Sequence, residues 1–255
     1  MVTLNQLKDT RNLRTVGAAG LSRIGFRNMY PSWFDSTFGK SLAAIRNGGA
    51  DYYDLSNTNV TDIDLESFKV LTGVRSLLLN DTSITDRGLQ HLSACKLRQL
   101  QLPNTRITDS GLVTLAQCRD LRVLDLSHTR ITGVGCGQLT NCIDLKMLSL
   151  WGTDCNDAGL AEICKLSSIV ELGLSDTKVT DRGMDYLSHM PNLKSVGLSG
   201  TGITESSVPI LSKCHSLVSI RLDDTALSDE AINRLQIALP HCKIRKLNID
   251  EFNDH

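Results

Sequence analysis

The chain has 255 residues, 41% of them apolar and 22% charged, which is enough apolar side chain for a large core and excludes a disordered chain. With 27 Lys and Arg against 28 Asp and Glu the formal charge is -1, so no net field draws the whole molecule to nucleic acid or an anionic membrane. Apolar runs such as Leu77 to Leu79 fall far short of the ~20 residues a membrane span needs, and Met1 to Leu13 lacks the continuous apolar stretch of a secretory leader, so either the location is cytoplasmic, as expected, or the native N-terminus lies upstream.

In chain order, Leu4, Leu7, Leu13, Val16 and Ala18 keep the mutual spacing of Leu112, Leu115, Leu121, Leu124 and Leu126, so residues 1–21 read as a degenerate copy of a unit that recurs downstream. From Ala18 to the equivalent Leu55 the interval is 37 residues, about 13 more than one later period. The surplus, residues 22–41, carries Phe26, Tyr30, Trp33, Phe34 and Phe38 in a chain that is only 4% aromatic. Two readings stand: an N-terminal cap that covers the first open coil, or a loop offering aromatic anchors to a partner.

Residues 42–243 then repeat with a period of about 24. Threonines recur at Thr58, Thr82, Thr105, Thr129, Thr153, Thr177, Thr201 and Thr225, each followed two residues later by an aliphatic residue except where Cys155 stands. Aliphatics precede each threonine, as Leu121, Leu124 and Leu126 precede Thr129, and the last two alternate as a strand does. After the threonine the spacing turns helical: Thr85-Asp86-Arg87-Gly88-Leu89 leads to Leu92 and Cys95. Thr61, Thr85, Thr108, Thr132, Asn156, Thr180, Thr204 and Ser228 are the expected helix N-caps. An acid follows most of them, favoured by the positive end of the helix dipole, and Gly133 is the exception. Glycines at 88, 111, 135, 159 and 183 near the helix start read as a close backbone approach or, alternatively, as ordinary loop usage. Ile244, Leu247 and Ile249 predict a final strand in a terminal segment, 244–255, that ends in a polar tail.

The unit L-x-x-L-x-L-x-x-T-x-I-T-D-x-G-L-x-x-L-x-x-C resembles the leucine-rich repeat family over roughly Leu42 to Asp250. It is most similar to the cysteine-containing class and to bacterial T-x-I-T-D-x-G-L repeats. The resemblance implies an α/β solenoid, a curved horseshoe arc with a parallel β-sheet on the concave face and short helices on the convex face. Strands ~4.8 Å apart opposite helices that need about 8–10 Å bend such a stack with its strands inside. It also implies a non-catalytic scaffold for protein–protein recognition. A second implied role is the substrate-recognition part of an F-box-like ubiquitin-ligase adaptor, although residues 1–50 contain no recognisable F-box. A third reading is an enzyme with its site in the N-terminal insertion.

The threonine column is expected to point inward and bond backbone groups of the adjacent coil. The eight cysteines fall mostly where other coils place Leu, Met or Val, which predicts buried free thiols and a reducing compartment. No C-x-x-C pair appears, nor a G-x-S-x-G, H-E-x-x-H or G-x-x-x-x-G-K-S/T pattern, so no catalytic residue, metal or cofactor is expected.

Residues flanking the buried strand leucines list the concave surface. The binding candidates are Tyr52, Asp54, Leu78, Gln101, Val123, Asp125, Met147, Ser149, Trp151, Glu171 and Arg221. Leu78, Val123, Met147 and Trp151 have no core to enter in this register, so they are expected to stand exposed and anchor a protein or peptide. The acidic lean of the face argues against a phosphate backbone there. A basic column of Arg75, Arg98, Arg122, Lys146, Lys194 and Arg245 reads either as a solvated ladder or as a seat for an acidic partner or RNA. A monomer without membrane contact is expected.

Overall fold

The computed structural model describes residues 51–246 except 71, 72 and 94. The degenerate repeat at 1–21, the aromatic insertion at 22–41 and the tail from 247 onward lie outside the described residues.

Nine strands of three residues each form one sheet, all parallel and in sequence order: β1 Tyr52–Asp54, β2 Ser76–Leu78, β3 Gln99–Gln101, β4 Val123–Asp125, β5 Met147–Ser149, β6 Glu171–Gly173, β7 Ser195–Gly197, β8 Ser219–Arg221 and β9 Lys243–Arg245. The register is unbroken, with the central residues Tyr53, Leu77, Leu100, Leu124, Leu148, Leu172, Val196, Ile220 and Ile244 aligned from strand to strand. Strictly sequential parallel pairing means every strand is followed by a return path on one side, and short helices supply it. These are α1 Asp86–Leu89, α2 Asp109–Leu115, α3 Asp157–Ile163, α4 Asp181–Ser188, α5 Val208–Leu211 and α6 Asp229–Ala238, with 3₁₀ turns such as Asp64–Val70 and Val134–Asn141 in other coils.

The core is one continuous column between sheet and helices. From Leu77 through Ile220 the central strand residues are buried, and so are the helix residues Leu89, Leu112, Leu160, Met184 and Leu235. Each leucine buried this way contributes about 1.5–3 kcal/mol, but only because the neighbouring coil supplies the other wall.

A left-handed residue stands three places after the end of each strand from β1 to β8: Asn57, Asp81, Asn104, His128, Asp176 and Asp224 have φ between 53° and 57°, and Gly152 and Gly200 take the same place with φ 66° and 64°. Asn, Asp and Gly tolerate this conformation best, which explains their recurrence before each threonine. The turn sends the backbone N–H of the left-handed residue to the next coil's carbonyl, as from His128 to Trp151 at 2.7 Å and from Asp176 to Ser199 at 2.7 Å.

The turn also redirects the threonines. They are inward and mostly buried, as expected, but each hydroxyl donates to its own coil: Thr82 to the Leu79 carbonyl at 2.7 Å, Thr129 to Leu126 at 2.5 Å and Thr153 to Leu150 at 2.7 Å. The left-handed step folds the chain back by three residues, bringing that carbonyl nearer than any group of the next coil.

Contact between coils comes instead from the acid after each helix cap. Asp62 accepts the Thr85 N–H at 2.8 Å and its hydroxyl at 2.6 Å; Asp86 does the same for Thr108, Asp109 for Thr132, Asp157 for Thr180 and Asp181 for Thr204. The glycine column makes room for these carboxylates, since a Cβ on Gly88 would lie 2.5 Å from Asp62 and one on Gly111 2.5 Å from Asp86. Where Gly133 replaces the acid, the Asn156 N–H turns to the Thr132 carbonyl at 3.3 Å. There the coils meet backbone to backbone: a Cβ on Gly159 would stand 2.2 Å from the Thr132 oxygen. The threonine caps otherwise behave as expected, Thr85 accepting from the Arg87 N–H and Thr180 from the Arg182 N–H.

All eight cysteines are free, seven of them buried and Cys164 half-buried. Burial pushes the Cys118 thiol up to about 12, with the neighbouring Cys142 and Cys95 adding to the shift, so these thiols stay protonated. Cys142 donates weakly to the Leu115 and Cys118 carbonyls of the preceding coil.

Candidate functional site

The first and third residue of every strand face away from the leucine core. This places the candidates in two columns, with a third on the residues just after the strands. Tyr52, Val123, Met147 and Glu171 lie in the first column, and Asp54, Leu78, Gln101, Asp125, Ser149 and Arg221 in the second. Trp151 follows β5 in the third.

The β4 to β6 segment gathers most of the chemistry. Met147 is registered between Val123 and Glu171, and Ser149 between Asp125 and Gly173. Tyr52 and Asp54 on β1 lie seven strand steps from Arg221 on β8, about 34 Å at ~4.8 Å per step, so no small ligand touches both ends.

Two expectations of exposure need correction. Leu78 retains 4% and Met147 8% of its free surface, although neither joins the leucine core, while Val123 and Trp151 are half-buried. Gln101, Asp125, Ser149 and Arg221 are buried on the same face.

Asp125 closes its strand end by accepting the Ser127 N–H at 3.0 Å and the Ser127 hydroxyl at 2.5 Å, and Ser127 is 2.9 Å from the Ser149 hydroxyl. Asp54 accepts the Ser56 N–H in the same way. Burial raises the Asp125 carboxyl above its ordinary value, and the hydrogen bonds from Ser127 only partly oppose it; burial raises Glu171 too. Arg221 lies 3.5 Å from Asp223. The amide atoms of Gln99 and the hydroxyl of Ser175, both buried on this face, have no hydrogen-bond partner among the described residues.

Trp151 is held in place. Its indole N–H donates to Asp176 at 2.6 Å, and the His128 ring stands edge-on to it at 4.3 Å between centroids and 68° between planes. Both partners occupy left-handed turn positions in the adjoining coils, and Gly152 leaves the space the His128 ring fills, since a Cβ there would lie 2.3 Å from its Nδ1. Sequence reasoning missed His128 and Asp176 as site residues; the signal was the Asn, Asp, His or Gly before every threonine.

Arg98, Arg122, Lys146 and Lys194 are exposed, and Arg75 and Arg122 make long ion pairs with Asp120 and Asp144 at 3.8 and 4.0 Å, of the kind that contributes little. Among the described residues no group of three His, Cys, Asp or Glu could hold a metal, and no helix is long and apolar enough to cross a membrane.

The family model described as Leucine Rich repeat matches residues 93–116 and 117–139. No curated protein sequence matches the chain. Among solved structures, internalin C2 from Listeria monocytogenes is similar with a TM-score of 0.63 at 22% identity, over 78% of this chain and 81% of that one. A second internalin from the same organism, InlF, reaches a TM-score of 0.54 at 17% identity, over 79% and 70%. At these identities the likeness concerns the fold.

Proposed function

We propose that this chain, whose residues 93–139 match the leucine-rich repeat model, is a binding scaffold that holds a protein or an extended peptide along the concave face of its sheet. The observation that carries this reading is Trp151, fixed by Asp176 and His128 beside Met147. An aromatic plate already locked in one orientation loses little freedom on binding, which is what an interface anchor requires. The length of the face favours an extended partner, with Met147, Trp151 and Val123 as its apolar centre and Asp54, Asp125, Glu171 and Arg221 around them. The eight unpaired thiols favour a reducing compartment such as the cytoplasm.

The test is affinity capture from the source organism with the native chain and a Trp151→Ala/Glu171→Lys double variant. Both positions are only half-buried, so the thermal midpoint should hold while recovery of the specific partner falls at least about tenfold, as for loss of a hot spot. Undiminished recovery by the double variant removes the concave face from consideration.

A further inference from the structure

The near-neutral total charge conceals a division between the two edges of the sheet. The eight segments that lead from a helix or 3₁₀ turn into β2 to β9 contain nine Lys or Arg against Asp120 and Asp144. The eight that lead from β1 to β8 into the next helix or 3₁₀ turn contain three Lys or Arg against six acids. Along the basic edge six cations share one column: Arg75, Arg98, Arg122, Lys146, Lys194 and Lys243. Lys243 is its last member, since Arg245 is registered with Arg221 on the concave face. Backbone bonds fix the alignment, the N–H of Arg98 donating to the Arg75 carbonyl at 2.7 Å, Arg122 to Arg98 at 2.8 Å and Lys146 to Arg122 at 2.9 Å. The first four cations therefore follow one another at single strand steps of about 4.8 Å.

The helix dipole does not account for the column. It favours cations within the last helical turn, yet α2 to α6 have no basic residue there, and the column stands beyond the helices at the strand starts. Arg98, Lys146 and Lys194 are exposed and form no ion pair among the described residues. Like charges in such a row repel one another until an anion lies over them.

We propose that this edge is a second docking surface, separate from the concave columns, and that its occupant is an acidic helix of a partner protein, laid across the coils with one carboxylate over each cation. The spacing selects a helix: its turns repeat every 5.4 Å or so against about 4.8 Å per coil, a drift of under about 2 Å from Arg75 to Lys146 that long side chains absorb. An extended strand repeats its same-face side chains about every 6.8 Å and loses register within two coils. Single-stranded nucleic acid is held by stacking its bases on aromatic side chains, and the eight basic segments contain no Phe, Tyr or Trp. They do carry exposed apolar side chains, Ile143 at 74% and Val218 at 56%, the latter in the column itself, which suits the apolar side of an amphipathic helix.

The test uses fluorescein-labelled, Ala-based peptides of about 20 residues, one with a Glu on the same face of every helical turn and one of equal composition with Glu at every second position. Their anisotropy is titrated with the full-length native chain and with an Arg98→Glu/Lys146→Glu chain. The native chain should bind the helix-spaced peptide at least about five-fold more tightly than the other, and charge reversal should weaken that binding at least about tenfold. If the reversed chain does not fold, Arg98→Gln/Lys146→Gln replaces it, with an expected loss of about three-fold or more. Equal affinity for the two peptides, or binding that the substitutions leave unmoved, overturns the proposal. So does oligo-dT of equal charge binding more tightly than the peptide through the same two cations. The Trp151→Ala chain should bind the helix-spaced peptide as the native chain does; weakened binding there would place the peptide on the concave face and overturn a separate edge site, whereas failure of the capture experiment leaves this edge untouched.

Discussion

At the scale of single residues, the repeated threonine has a local task. Its hydroxyl fastens the turn by donating to the carbonyl three residues back, as Thr153 does to Leu150, and it is buried while doing so. The Leu150 carbonyl also accepts the Thr153 N–H at 3.2 Å, so removing the hydroxyl does not orphan it. Thr153→Val should therefore cost about 1 kcal/mol, a fall of roughly 2–4 °C in thermal midpoint, while Ser83→Ala on the exposed side of the turn should fall within the scatter of surface substitutions. Equal midpoints would show that the hydroxyl contributes nothing. The inward direction of these threonines was readable from their period. Their partner was not, because it depends on the left-handed residue before each, and a single Asn, Asp, His or Gly before Thr reads as ordinary loop composition until eight stand in register.

At the scale of elements, the coils are joined along the helix starts by carboxylates, and two consequences can be measured. Asp181 accepts the Thr204 N–H at 2.7 Å and its hydroxyl at 2.6 Å, and the Ser207 hydroxyl as well. Burial pushes its carboxyl up, but the hydrogen bonds from Ser207 and Thr204 together outweigh that and hold it below the ordinary carboxylate value. A depressed folded pKa adds stability above the unfolded value of about 3.9, and that stability disappears as pH falls through the folded value below it. Asp181→Asn should thus lower the thermal midpoint at pH 7, and the gap from the native chain should close below about pH 4. A gap that persists unchanged in acid would deny the charged carboxylate its role. The second consequence concerns the one junction without an acid. Gly159→Ala would press a Cβ between the Thr132 oxygen and Gly133, backbone on both sides, at a cost of about 1–3 kcal/mol, whereas at Gly73 the nearest atom is 3.8 Å away and Ala should be neutral. The glycine column was legible as close approach; that a carboxylate from the preceding coil is what approaches was not, because it joins residues 22 or 23 apart.

At the scale of the whole molecule, the solenoid, its sheet order and the side chains turned to the concave face follow from period and alternation, since only one stacking buries every leucine. The depth of Leu78 and Met147 did not follow, because the burial of a side chain turned away from the leucine core is set by its surroundings in the fold rather than by its own strand's pattern. The support beneath Trp151 was equally hidden, since it joins side chains of three successive coils whose contact depends on the left-handed turns at His128 and Asp176. The acid ladder has a further consequence for how such a chain grows. A coil that holds its own bend shut and carries, a few residues apart, both a threonine to be received and an aspartate to receive the following one is a self-sufficient tile. Copying it in the gene would lengthen the sheet by one three-residue strand without redesigning anything on either side. The coil with Gly133 has lost that interchangeability and fits only before the glycine it already meets.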